Sequence, residues 1–176
     1  MVEATDICTA INTEQFVESI KKGITDNSHI VRVEAAKKLR TLALIDPNIF
    51  AELVEKGLMD KYCVVRMEAA MILPTLAPIN PNKFIRLYET GINDENEDVR
   101  KGTAETLAAL VPINPDKFVE LYQKGINNEV GCFRYEIAKT LVALASTITQ
   151  ETLIPIKDYG YNFLVAHLNS KYTQNP

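Results

Sequence analysis

The chain has 176 residues, of which 47% are hydrophobic and 24% are charged, and its formal net charge is −4. This composition is typical of a folded globular chain, and it excludes a disordered protein and one that attracts nucleic acid through its overall charge. No stretch approaches the roughly 18 consecutive apolar residues that cross a membrane.

Residues 1–8 carry neither a basic leader nor an apolar run, so we expect a cytoplasmic protein that contacts no membrane. The cysteines Cys8, Cys63 and Cys132 are far apart, form no C-x-x-C pair and have no nearby histidine. We therefore interpret them as small apolar side chains rather than ligands or nucleophiles.

One segment recurs along the chain. Residues 45–58, 79–92 and 113–126 share an Ile-Asp/Asn-Pro start, a central Phe and a Gly near the end, and they are 34 residues apart. Weaker copies start at Ile11 and Ile148. A fixed period of this size predicts stacked helical repeats. We expect a single domain over residues 1–176, with copies at about 11–44, 45–78, 79–112 and 113–147 and a closing segment at 148–168.

Each copy is predicted to contain two helices. The first opens at Asp46, Asn80 or Asn114, whose side chain can cap the first turn, and a proline follows at the first helical position. Residues 1–10 occupy the place of an incomplete preceding second helix. A glycine (Gly57, Gly91 and Gly125, with Gly23 and Gly160 in the same place) is expected to end the first helix in a left-handed conformation.

The second helix follows a turn that starts at Asp26, Asp60, Asp94 or Asn128. Alanine and leucine repeat at identical positions on its predicted buried side: Ala36, Ala70, Ala104 and Ala138, then Leu39, Leu73, Leu107 and Leu141. Pro74 lies inside the second helix of its copy and is expected to bend it.

An arginine also recurs on this packed side, at Arg32, Arg66, Arg100 and Arg134. A charge facing a packed layer needs a partner. We expect that partner to be the acid six residues earlier, so that the sequence predicts a structural ladder with Asp26, Asp60 and Asp94.

An Asp followed by Val-Arg and then by Ala-x-x-Leu, in tandem helical hairpins, resembles the HEAT repeat in its short, HEAT-like form. The match covers roughly residues 11–168 and is carried by Asp26 with Val31-Arg32, Asp60 with Val65-Arg66 and Asp94 with Val99-Arg100. The resemblance implies a right-handed α-α solenoid (superhelix) of four to five helical hairpins, similar to HEAT and armadillo arrays. Tetratricopeptide repeats share the period of 34, but they have a glycine in mid-helix, where this chain has none in its first helices.

The same resemblance implies that second helices line a concave side. Their outward positions hold apolar side chains among charges, whereas the outward positions of the first helices are polar. We expect this second-helix side to bind a segment of another protein through Val33, Lys37, Arg40, Met67, Met71, Pro74, Lys101, Glu105, Tyr135 and Lys139. The competing interpretation is that curvature of the array or the ends of the chain cover Met67, Met71 and Val33.

Enzyme motifs are missing from the sequence. His29 and His167 are far apart and without acidic neighbours, and no H-E-x-x-H, phosphate loop or G-x-S-x-G occurs. We therefore predict no catalytic residue, no metal site and no cofactor, and nucleic acid is not an expected partner. The alternative, based on HEAT-like chromophore lyases, is a small-ligand enzyme with Tyr135, Cys132 and Glu136 in a groove.

Overall fold

The computed structural model describes residues 4–127, 134, 135 and 137–140, with side chains from Asn12 onward. All regular structure in these residues is helical, as predicted, and they contain no strand. Their helices are α1 (Ala4–Gly23), α2 (His29–Ile45), α3 (Pro47–Leu58), α4 (Cys63–Met71), α5 (Leu73–Leu76), α6 (Pro81–Gly91), α7 (Glu97–Ala104), a 3₁₀ turn (Leu107–Leu110) and α8 (Pro115–Ile126). The chain divides into two compact units, one up to Thr106 and one from Leu107 onward.

The first helices of the later copies begin as the sequence predicts. The Asp46 side chain accepts hydrogen bonds from the N–H groups of Asn48 and Ile49 at 3.0 and 2.9 Å. Asn80 and Asn114 each accept from the N–H three residues on. These side chains satisfy N–H groups that a helix start leaves without a backbone partner, and the proline that follows each of them has no N–H to satisfy.

The first copy starts differently. A single helix, α1, runs without a break through Asn12, where the period predicts a helix start. The reason lies in the next residue, which is Thr13 rather than a proline. A proline disfavours helical backbone at the residue before it, and Asn12 is free of that restriction.

The buried positions follow the predicted periodicity. The recurring aromatic and aliphatic side chains of the first helices are at most 4% exposed: Phe50, Leu53, Val54, Phe84, Leu87, Tyr88, Phe118, Leu121 and Tyr122. The repeated small and aliphatic positions of the second helices are fully buried at Ala36, Leu39, Ala70, Leu73, Ala104 and Leu107. Ala138 is half-buried, and Leu141 lies outside the described residues.

The glycines near the ends of the first helices do not act as left-handed stops, and this prediction is wrong. No described residue has a positive φ, and Gly57 and Gly91 lie within the last turns of α3 and α6. A Cβ on any of these glycines would come within 3.0 Å of the side chain twelve residues later, the pairs being Gly23 with Ala35, Gly57 with Ala69, Gly91 with Thr103 and Gly125 with Ile137. Glycine is therefore needed for close helix approach, and not for its conformational freedom. Gly160 lies outside the described residues.

The second helix of the second copy is interrupted near Pro74, as predicted. The helix α4 ends at Met71, and a separate short helix, α5, begins at Leu73 with the proline in its first turn. Proline lacks the N–H that would continue the α4 ladder.

Candidate protein-binding surface

The recurring arginines tie one copy to the next, but their carboxylate partners differ from the prediction. Arg32 donates from Nε and Nη2 to the two carboxylate oxygens of Asp60, at 2.6 and 3.2 Å. Its Nη1 donates to the backbone carbonyls of Asp26 and Asn27, at 2.7 and 3.0 Å. The carboxylate of Asp26 instead accepts from the Ser28 N–H at 2.8 Å and closes the turn before α2. The predicted pairing of Arg32 with the Asp26 side chain is therefore wrong.

The same geometry recurs one period later. Arg66 donates from Nε and Nη2 to Asp94 at 2.7 and 2.9 Å, and its Nη1 donates to the carbonyls of Asp60 and Lys61. Its Nη2 also reaches the exposed carboxylate of Glu95 at 3.2 Å. A planar guanidinium suits this arrangement. Its Nε and Nη2 can bind one carboxylate, while its Nη1 donates to two backbone carbonyls.

The third arginine is only partly engaged by the described residues. Arg100 donates from Nη1 to the carbonyls of Asp94 and Glu95, at 2.7 and 2.9 Å. Its Nε is buried and has no hydrogen-bond partner among the residues that the structure describes. The period places a neutral residue, Asn128, where Asp60 and Asp94 stand in the earlier copies, and Asn128 lies outside the described residues. Arg134 is half-buried.

The aspartates of these pairs remain ionised despite their burial. The side chains of Asp60 and Asp94 are 11% exposed, and burial alone would raise the pKa of each carboxyl. The hydrogen bonds from Arg32 or Arg66, with a backbone N–H in each case, outweigh burial and lower the pKa of both groups. The bond to Asp60 likewise raises the pKa of Arg32.

We use the name second-helix face for the side of α2, α4, α5 and α7 that carries the predicted binding residues of the first compact unit. In this unit α4 packs between α2 and α7. On this face Val33, Met67 and Lys101 are half-buried, whereas Lys37, Arg40, Met71, Pro74 and Glu105 are exposed. Met71 is 51% exposed, and Ile30 and Val64, which the prediction did not include, are 65% and 45% exposed on the same helices.

The two methionines of the face lie over a glycine of the neighbouring helix. A Cβ built on Gly102 of α7 would be 3.7 Å from Met71 Cγ and 3.9 Å from Met67 Cγ. Those are ordinary van der Waals distances, so packing would tolerate a larger residue here. Glycine inside a helix costs roughly 0.5–1 kcal/mol relative to alanine. Gly102 therefore leaves a notch beside two flexible side chains that packing within the unit does not require.

The corresponding place one period earlier is charged. Lys37 stands at the position of Met71, and Glu68 at that of Gly102. A hydrogen bond from Lys37 Nζ to Glu34 at 2.9 Å raises the lysine pKa, and the charge of Glu68 adds to the effect. The groove between neighbouring second helices thus changes from a charged contact to an apolar notch within one period.

The remaining predicted binding residues lie in the second compact unit. Tyr135 is 65% exposed, and Lys139 Nζ lies 5.6 Å from the centre of its ring. Cys132 and Glu136, which the enzyme alternative combines with Tyr135, fall outside the described residues. The structure therefore does not place these three side chains together.

Charged side chains on the exposed sides of the first helices form ion pairs with one another. Lys83 and Arg86 of α6 reach the carboxylate of Glu55 in α3 at 2.8 and 2.6 Å, and the hydrogen bond from Lys83 leads in lowering the pKa of Glu55. On α8, Lys124 and then Lys117 lower the pKa of Glu120 to about 2. In the described part of the chain, the exposed sides of α3, α6 and α8 show no apolar patch comparable to the methionines.

An aromatic cluster at the starts of α2 and α4 was not predicted from the sequence. The rings of His29 and Tyr62 stack at 4.7 Å, and the Arg32 guanidinium and Lys61 ammonium lie 5.2 and 5.5 Å from the Tyr62 ring centre. A nearby cavity of about 430 Å³ lies between the turns that precede these two helices. The repeat marks Tyr62 as unusual, because the equivalent positions of the first and third copies hold the small polar residues Ser28 and Asn96.

The described residues were also considered as a metal site and as a membrane span, and they fit neither. The described residues contain no group of three or more histidine, cysteine or acidic side chains placed to hold a metal ion. None of the helices in the described part of the chain is long and apolar enough to cross a membrane.

Comparison with known proteins adds information about the fold only. No family profile matches the chain, and no curated protein matches it. The crystal structure of an engineered protein from the Northeast Structural Genomics Consortium is similar, with a TM-score of 0.55 and 20% sequence identity over 83% of this chain and 68% of that chain. At this level of identity the similarity concerns the helical fold and not the function.

Proposed function

We propose that this protein is a cytoplasmic scaffold of HEAT-like helical hairpins, and that its second-helix face binds a segment of another protein. The proposal rests on one observation: Met67 and Met71 lie over the notch at Gly102, with Met71 half in solvent. Flexible, polarisable methionine side chains can adapt to the shape of a partner, and a mid-helix glycine lets that partner approach the backbone.

The surroundings of the notch support this function. Val64 and Ile30 extend the apolar surface along α4 and α2, and the charges of Lys37 and Lys101 are balanced by Glu34 and Glu97 at 2.9 and 2.8 Å. An apolar centre with a charged rim is the usual composition of a protein-binding site. A partner would bury the methionines without stranding an unpaired charge beside them.

The contrast with the first helices supports the choice of face. Their exposed sides are crossed by ion pairs such as Glu55 with Lys83 and Arg86, and a partner that covered these pairs would have to remove the remaining water from their charges. Of the two sides, the second-helix face has more to gain from being covered.

The test is a quantitative pull-down from a lysate of the source cells. The Met67→Glu/Met71→Glu variant should lose proteins that wild type retains, because two carboxylates would have to be desolvated in the apolar centre. Met59→Glu is the matched control, since Met59 is 55% exposed but lies on the turn that follows α3. Equal recovery of every protein by wild type and the double variant would disprove the proposed function.

A further inference from the structure

The two arginine pairs differ in one contact. Besides Asp94, the Nη2 of Arg66 binds Glu95, whose carboxylate lies at 3.2 Å and is 86% exposed. One period before Glu95 the chain has Lys61, so the acid that Arg66 binds is replaced by a cation in the copy of Arg32. Nη2 of an arginine carries two N–H groups. In Arg32 this nitrogen donates to Asp60, and its second N–H has no acceptor among the residues that the structure describes.

Arg32 also lines the cavity of about 430 Å³ between the turns that precede α2 and α4, although it is only 5% exposed. Lys56 and Lys61 line the same cavity and are exposed, and neither forms an ion pair with a residue that the structure describes. The ammonium of Lys61 lies over the Tyr62 ring, and its charge acts on Asp60 only from beyond ion-pair distance. A buried guanidinium and two exposed ammonium groups thus share one cavity.

The two acids that line this cavity are already engaged. Asp60 accepts from Arg32 and from the Tyr62 N–H at 2.8 Å, and Asp26 accepts from the Ser28 N–H. The cavity therefore has three cations against two acids. The equivalent positions one period later hold two cations and three acids, namely Lys61, Arg66, Asp60, Asp94 and Glu95. An anion is attracted to the first of these two places and repelled from the second.

We propose that this cavity binds a carboxylate group of a ligand, in the place on Arg32 that Glu95 occupies on Arg66. The carboxylate accepts from the second N–H of Arg32 Nη2, and Lys56 and Lys61 balance its charge. The contact of Arg66 with Glu95 is the reason for naming a carboxylate, since the same chain already binds that group at the equivalent guanidinium.

The rest of the cavity fits the carbon chain of such a ligand. Met59 is 55% exposed and lines the cavity, where its flexible side chain offers an apolar surface. The volume of the cavity is in the range of small-molecule sites. None of its lining residues belongs to the second-helix face, so this proposal is independent of the proposed function.

Binding is measured on the isotope-labelled full chain by following its backbone amide signals in nuclear magnetic resonance titrations. The probes are succinate and a short peptide with two adjacent glutamates, added to about 20 mM at an ionic strength held constant with sodium chloride. The amides of Lys61 and Tyr62 should shift with a dissociation constant on the order of 1 mM for at least one probe. Tighter binding of succinate identifies a small acid as the ligand, and tighter binding of the peptide identifies an acidic protein segment.

Two results of these titrations overturn the proposal. One is the absence of shifts at Lys61 and Tyr62 with both probes. The other is tighter binding of inorganic phosphate than of either probe under the same conditions, because the site would then not be selective for a carboxylate.

Lys61→Glu is the decisive variant, because it reproduces the arrangement of Glu95 and supplies Arg32 with a carboxylate from within the chain. It should weaken binding of the probe at least about tenfold. Arg32 itself is left intact, since its removal would strand Asp60.

Lys38→Glu is the matched control. It changes the net charge by the same amount at an exposed lysine of α2 that does not line the cavity, and it should leave the affinity within about twofold of wild type. Circular dichroism checks that both variants are folded. Wild-type affinity in Lys61→Glu overturns the proposal, as does an equal loss in both variants.

Discussion

Two regions of the first compact unit use the same residue types in opposite ways. One is the edge formed by the pairs of Arg32 with Asp60 and of Arg66 with Asp94, and the other is the second-helix face. At the edge, Arg66 is 7% exposed and bound to Asp94, and Gly91 lies so close to Thr103 that no side chain fits between them. On the face, Arg40 is exposed, and Gly102 leaves space that a methyl group could occupy. Similar residues are thus fixed by packing at the edge and left available on the face, so equivalent substitutions should have different effects in the two regions.

The largest effect is expected for Arg66→Ala. The substitution leaves the Asp94 carboxylate buried without its cation, and we expect the free energy of unfolding to fall by about 3 kcal/mol in urea denaturation. Arg100→Ala is the matched control and should cost less, since Arg100 loses two carbonyl contacts and no carboxylate contact among the described residues.

A second control removes both partners of the pair. Arg66→Ala/Asp94→Ala should be more stable than Arg66→Ala, because no buried charge is stranded. If the two single arginine variants lose equal stability, the carboxylate of Asp94 is not what distinguishes the two positions.

The two glycines give the next contrast. Gly91→Ala would place a methyl group against the fully buried Thr103, whose hydroxyl donates to the Val99 carbonyl at 2.7 Å. We expect it to cost about 2 kcal/mol through overpacking. Gly102→Ala should instead stabilise the protein by up to about 1 kcal/mol, because alanine favours the helix and meets only ordinary contacts. Thermal unfolding of both variants measures the difference, and a loss of stability in Gly102→Ala would contradict the open notch.

Acid should weaken the pairs of Arg32 with Asp60 and of Arg66 with Asp94. The pKa values of Asp60 and Asp94 are lower in the folded protein than the value of about 3.9 expected in the unfolded chain. The stability that these groups contribute is therefore complete above about pH 4, and it is lost as the pH falls through their folded pKa values. Urea denaturation at pH 7, 4 and 3 should show this decline, and Asp94→Asn, already weaker at pH 7, should decline less. An identical pH dependence in wild type and Asp94→Asn would contradict the prediction.

The sequence predicts much of the architecture because local rules act at each copy. The capping side chains of Asp46, Asn80 and Asn114 and the break near Pro74 depend on neighbouring residues, so they could be inferred without coordinates. The wrong partner of Arg32 and the wrong role of the glycines both concern how helices pack against one another. The choice of Asp60 over Asp26 as the partner of Arg32 depends on how two copies stack, which a period does not specify.

The second-helix face could likewise be predicted only in part from the sequence. The exposure of Met71 follows from its place on the helical wheel, but the notch beneath it requires knowing that Gly102 of the next second helix lies there. The stacking of His29 on Tyr62 likewise joins residues from two copies. Capping contacts at a helix start could be predicted from the sequence, whereas contacts between helices had to be observed.

The smallest expected effect comes from Tyr88, a buried aromatic side chain of α6. Tyr88 is fully buried, its hydroxyl has no hydrogen-bond partner among the residues that the structure describes, and burial raises its pKa. Removing a buried hydroxyl without a partner also removes its desolvation cost, so Tyr88→Phe should raise the free energy of unfolding by about 1 kcal/mol. Tyr122→Phe is the matched control, because that tyrosine occupies the same position one period later and is not without a partner. It should be neutral or destabilising, and equal gains in urea denaturation from both variants would show that the unpartnered hydroxyl of Tyr88 is not the cause.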